Sequence, residues 1–223
     1  MIADELLAYL EGFVTDNRKE TFKQVLANRT RHFTVVLENV FQPHNASAVV
    51  RSCDIFGIQD VHTVENSYVN KVSRKIAKGS QKWLDFHRFK SDKNNTEECF
   101  KALKDKGYQV IATTPHNDSC YLSDFDITKK SAFVFGVERE GVSDFMLENA
   151  DGYLKIPMVG FTESLNISVA AAIILQDVTS RLRKSDIAWE LSEKEQKEIY
   201  SQWIQQSIKN VEKLKKAYLE EKE

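Results

Sequence analysis

Between residues 31 and 183 the apolar positions follow two alternating rhythms. Short unbroken runs, FTVVL, DVHTV, YQVIATT, AFVFGV and YLKIP, have the pattern of strands buried on both faces. Helical spacing separates them near Ala46 to Phe56, Ser73 to Lys78, Thr96 to Lys106 and Asp144 to Asn149. This alternation predicts an α/β fold, a mostly parallel sheet with helices on both faces. Gly57, Gly79 and Gly107 each fall where a helix should stop, in the position that favours a left-handed cap.

The flanks carry a different pattern. Residues 4–28 predict one or two amphipathic helices, with Leu6, Leu7, Leu10, Phe13 and Val14 on one face and Phe22, Val25 and Leu26 on a second. After Lys184, the apolar positions Ile199, Trp203, Ile204, Ile208, Val211, Leu214 and Tyr218 recur at helical spacing among lysines and glutamates. That helix docks either on its own domain or on a second copy of the chain. Three regions follow: an N-terminal helical extension over 1–30, an α/β core over 31–183 and a C-terminal helical extension over 184–223.

Composition narrows the classes. The chain has 223 residues, 42% of them hydrophobic, enough for a real core. No run of about 18 apolar residues occurs, and the N-terminus MIADELLAYLEGF carries acids, so a soluble, cytoplasmic protein without a membrane partner is expected. Cys53, Cys99 and Cys120 lie far apart without metal-ligand spacing, which argues against a disulfide framework and a metal site. A formal net charge of −2 carries no global signal for nucleic acid. Locally the balance differs: Lys71 to Lys93 holds eight basic residues against Asp85 and Asp92, a net of +6. Arg18, Lys19, Lys23, Arg29 and Arg31 form a second basic cluster. Each is either a grip for phosphates or a solvated helix face.

Open α/β sheets bind ligands beyond the carboxyl ends of their strands, which directs attention to three loops. In VVLENVFQPHNASAVVRSCDIFG, Asn45 is placed to cap a helix that bears Arg51 less than two turns further on, and His44 lies beside it. FVFGVEREGVSDF presents Gly136, Glu138, Arg139 and Gly141. YLKIPMVGFTESLNISVAAAIIL brings Ser164 and Asn166 to the start of an apolar helix whose Ala170, Ala171 and Ala172 admit a close neighbour. Read alone, this last segment is equally a capped core helix. The common nucleotide signatures, the GxSxG elbow and metal-spaced histidine pairs are all absent.

Together these loops, in order and at their usual separation across residues 31–183, resemble motifs one, two and three of the SpoU-type RNA ribose 2′-O-methyltransferases in the SPOUT superfamily. RTRHFTVVLENVFQPHNASAVVRSCD, the GSQKW after the basic stripe and the helical additions resemble the branch acting on guanosine 18 of tRNA. The resemblance implies a SPOUT fold with a C-terminal trefoil knot, a feature that ordinary chains avoid. It implies S-adenosylmethionine as methyl donor, bound at Thr113, Gly136, Ile156, Met158 and Leu165, and no metal. Arg51 would be the key catalytic residue, with Asn45, Glu138, Ser164 and Asn166 completing the polar lining. A guanidinium is permanently protonated, so its role is to hold a phosphate and lower the hydroxyl's pKa rather than to accept a proton. Arg18, Arg29, Arg31, His44, Lys75 and Lys78 would contact tRNA, and the protein would be a homodimer. Ribosomal RNA methylation by the same fold and non-catalytic RNA binding are the rival readings.

Overall fold

The computed structural model describes residues 4–40, 42–66, 73–91, 94–115, 119–137 and 140–220. They form two compact units: residues 30–189, and the two chain ends together, up to residue 29 and from residue 190. In the larger unit the strands are β1 (Phe33–Glu38), β2 (Asp60–Val64), β3 (Asp85–Phe89), β4 (Gln109–Thr113), β5 (Cys120–Tyr121), β6 (Ser131–Phe135) and β7 (Gly152–Lys155). Helices α1 (Asp4–Glu11) and α2 (Asp16–Leu26) open the chain. The larger unit holds α3 (Pro43–Ile55), α4 (Arg74–Ala77), α5 (Asn95–Asp105), α6 (Asp144–Asn149) and α7 (Ile167–Leu182), and α8 (Glu193–Ser207) and α9 (Val211–Glu220) follow.

The strands form one sheet in the order β3-β2-β1-β6-β4-β7-β5. Every pairing between them is parallel. Alternate residues therefore serve two cores. Val35, Leu37 and Phe133 face α3 and α7, where Val49, Val50, Ile174 and Val178 close the first cluster. Val36, Ala112 and Val134 face the opposite way, onto Cys99 and Leu103 of α5 and Met146 of α6. Burial on both faces explains why β1 and β6 are unbroken apolar runs.

Two strands carry no such run. β3, DFHRF, is a half-buried edge strand inside the basic stripe, and β5 has two exposed residues. Local chemistry also sets the helix ends. Gly57, Gly79 and Gly107 all take positive φ, but α4 already ends at Lys78, which is itself left-handed at φ 49°. Asn45 does not cap α3: Gln42 is the cap residue and Pro43 takes the first helical position, where its missing N–H costs nothing. Asn45 thus lies inside the first turn.

In the smaller unit, Leu10, Phe22, Leu26, Ile199, Trp203 and Ile204 are buried. Phe22 meets Trp203 edge to face at 5.4 Å. Ser192 and Glu195 form a capping box that starts α8. The apolar spacing after Lys184 suggested one continuous helix, but the chain breaks at Ile208 to Asn210, where Asn210 adopts φ 60° and α9 begins afresh. No helix among the described residues is long and apolar enough to cross a membrane.

Candidate active site

Because β6, β4 and β7 are parallel neighbours, their carboxyl ends emerge side by side. The loops that leave them enclose a cavity of about 410 Å³. Thr113 at the end of β4, Gly136 just after β6, and Ile156, Met158, Ser164 and Leu165 in the loop after β7 all line it. Thr113 Oγ1 donates to the Val134 carbonyl at 2.8 Å, which ties β4 to β6 at the cavity floor.

The second loop turns back on itself with little tolerance. Val137 and Gly141 exchange both backbone hydrogen bonds, at 3.0 and 2.9 Å, and Gly141 takes φ 73°. An added Cβ at Gly136 would lie 1.8 Å from the Gly141 carbonyl oxygen. Only glycine permits this approach. Glu138, with Arg139, lies outside the described residues.

In the third loop Asn166 is the cap of α7, its Oδ1 accepting from the Ser168 amide at 2.9 Å. Its Nδ2 donates to Asn45 Oδ1 at 3.1 Å, so the first and third motifs, 121 residues apart, meet at one amide pair. Asn45 is 2% exposed and donates in turn to Gln42 Oε1. Val159 and Phe161, by contrast, project fully into solvent.

Arg51 is exposed on α3 and does not line the cavity of its own chain. Six residues of helix turn it roughly 120° away from Asn45. His44, Lys75, Lys78 and Arg18 are exposed. Two of the expected RNA contacts, Arg29 and Arg31, are engaged by other side chains of the chain. Arg29 is 1% exposed, its guanidinium 5.5 Å from the ring centre of Trp203, so it serves the core of the smaller unit. Arg31 pairs with Asp60 at 3.1 Å and with Asp85. Burial alone would raise the Asp60 carboxyl, but the His87 hydrogen bond and the Arg31 charge outweigh it and hold it below the ordinary carboxylate range. Arg29 is shut away from solvent, whereas the Arg31 side chain stays 26% exposed while sharing its charge with two carboxylates.

Glu140, Glu163 and Lys155 also line the cavity. They stand outside the set that the motifs single out, although a binding loop rich in acids is itself a signal for a cationic ligand. The described residues contain no group of three or more His, Cys, Asp or Glu side chains able to hold a metal ion.

A family model described as the SpoU rRNA Methylase family matches residues 32–176. The chain belongs to this family. Among its relatives, the tRNA (guanosine(18)-2′-O)-methyltransferase of Borreliella burgdorferi is 38% identical, with 92% of each chain covered. The crystal structure of the A. aeolicus TrmH/SpoU tRNA modifying enzyme matches with a TM-score of 0.77 at 31% identity, over 87% of this chain and 98% of that one. A more distant likeness of fold, TM-score 0.61 at 23% identity over 73% of this chain and 65% of the other, is to the SpoU methyltransferase AviRb of Streptomyces viridochromogenes, solved in complex with AdoMet.

Proposed function

We propose that the chain transfers a methyl group from S-adenosylmethionine to a ribose 2′-hydroxyl of tRNA, at guanosine 18. The observation that carries this reading is the cavity at the ends of β4, β6 and β7, joined to the first motif through the Asn45–Asn166 pair. Its lining suits the donor: Ile156, Met158 and Leu165 offer apolar walls for an adenine ring, and the strand ends offer backbone groups to read its edge. Glu140 and Glu163 add negative charge that favours a sulfonium cation. When bound, S-adenosylmethionine supplies an electrophilic methyl carbon.

The chain's own residues would orient the acceptor. We assign Arg51 to grip the phosphate beside the target ribose and favour loss of the hydroxyl proton to solvent, without itself accepting that proton. Asn45 and Asn166 hold the first and third loops in register, Ser164 faces the cavity, and Glu138 is assigned to the same polar lining on motif position alone. A second copy of the chain completes the site in this reading: Arg51 does not reach its own cavity, while Val159, Phe161, Val169 and Ile173 leave an apolar surface to be covered. A trefoil knot in the C-terminal part of the core, where β7 follows β6 and lies on the far side of β4, is assigned from the resemblance to the SPOUT superfamily. Exposed Arg18, Lys75 and Lys78 are assigned to the tRNA backbone and the protein to the cytoplasm.

Incubation of the purified chain with labelled S-adenosylmethionine and separate pools of tRNA and ribosomal RNA tests the assignment. Label should appear in tRNA, at a single ribose. Label in ribosomal RNA alone would favour the rival substrate, and label in neither pool would end the enzymatic reading.

A further inference from the structure

Glu38, the last residue of β1, is 1% exposed and belongs to none of the expected site residues. It is held by three donors. Its Oε1 accepts from Thr96 Oγ1 at 2.9 Å and from Ser143 Oγ at 2.7 Å, and its Oε2 accepts from the Ser143 amide at 2.9 Å. All three partners donate, an arrangement matched to the acceptor-only oxygens of a carboxylate. Thr96, on α5, is itself fixed by Asn66, whose side-chain amide donates to it at 2.7 Å.

The location gives this hub its meaning. Ser143 caps α6 and directly follows Glu140, Gly141 and Val142, three residues that line the cavity. One end of that loop is fixed by β6 and the self-contact at Gly136, and the other end hangs on Glu38. On its other side Glu38 leads through Asn39, left-handed at φ 54°, into α3 with Asn45 and Arg51. A single buried carboxylate therefore spans the segment assigned to the acceptor and the loop assigned to the donor.

We infer that Glu38 is a positioning residue, which sets the donor loop at Ser143 and thereby the affinity for the adenosyl group, without touching either substrate. This rests on the assignment of the cavity to the methyl donor. In Glu38→Gln one of the two acceptor oxygens becomes an NH2 donor, which faces either the Ser143 amide or the Ser143 and Thr96 hydroxyls donor to donor, so the loop must rearrange to relieve it.

Calorimetric titration of the full-length chain with S-adenosylhomocysteine, together with steady-state kinetics, tests it on wild type, Glu38→Gln, Ser143→Ala and Thr96→Val. Glu38→Gln should weaken binding on the order of tenfold and raise the donor KM by a similar factor, with kcat at saturating donor nearly unchanged. Ser143→Ala should shift both in the same direction by less, since its amide bond survives. Thr96→Val removes a donor to the same carboxylate but touches no part of the loop, so it should lower Tm and leave affinity unaltered. If Glu38→Gln and Ser143→Ala lower Tm but bind as wild type does, or if Thr96→Val weakens binding equally, the carboxylate is a core fastener only and the inference is overturned. Should Glu38→Gln fail to fold, the contrast between Ser143→Ala and Thr96→Val decides in the same way. A wild-type chain that does not bind S-adenosylhomocysteine removes the reading on which the inference stands, and is told apart from the other outcomes by that single titration.

Discussion

A methyl group at residue 136 has no room, because the Gly141 carbonyl already occupies the space. Gly136→Ala should therefore open the second loop and abolish S-adenosylhomocysteine binding in a titration, while circular dichroism stays that of the folded chain. His62 gives a second residue-scale expectation. Burial, reinforced by His87 stacked on it at 4.5 Å, holds its imidazole far below the usual range, at about 3. Between an unfolded value of ~6.5 and that folded value, the unfolded chain binds a proton that the native chain does not, so stability falls as pH falls. Unfolding free energies from urea titrations should decline from pH 6.5 to 5 with a slope approaching about 1.4 kcal/mol per pH unit. His62→Gln should flatten that slope, and an unchanged slope would contradict the assignment. Polar residues were also the least legible in the sequence. Asn166 is readable as a cap, but Arg29 and Arg31 pass for surface cations because Trp203, Asp60 and Asp85, which engage them, lie far away along the chain. Glu38 is hidden for the same reason: its donors come from residues 96 and 143.

Elements with a continuous apolar run are legible from local pattern, and β1, β2, β4, β6 and β7 each coincide with one. β3 is not, because an edge strand needs only partial burial and its charges read as part of the basic stripe. The α8–α9 break is invisible to spacing alone, since apolar residues continue on both sides of left-handed Asn210. Within the stripe, α4 is a single turn that exposes Lys75 and ends at exposed Lys78. If this turn grips RNA, Lys75→Glu with Lys78→Glu should weaken tRNA binding and reduce the slope of log affinity against log salt by about two, measured by filter binding. Donor affinity should not move. Equal tRNA affinity at every salt concentration would return this stretch to the role of a solvated surface.

At the scale of the whole molecule, the placement of Arg51 away from its own cavity makes a prediction about assembly. Equal amounts of Arg51→Ala and Gly136→Ala chains, each inactive alone, should regain roughly a quarter of wild-type activity when co-refolded: half of the dimers are mixed, and each mixed dimer has one intact site. No recovery would mean that the arginine serves the cavity of its own chain. The order of the strands has a further consequence, for biosynthesis. β6 fills the slot between β1 and β4, with Phe33 paired to Ser131 and Gln109 to the same residue. Until residues 131–135 leave the ribosome, the nascent chain holds one unfinished half-sheet, β3-β2-β1, and a β4 with neither of its partners, so that the edges at Val35 and Ile111 lack the strand that joins them. Synthesis rate and chaperone access over that interval, rather than the stability of the finished protein, would then govern how much active enzyme a cell recovers.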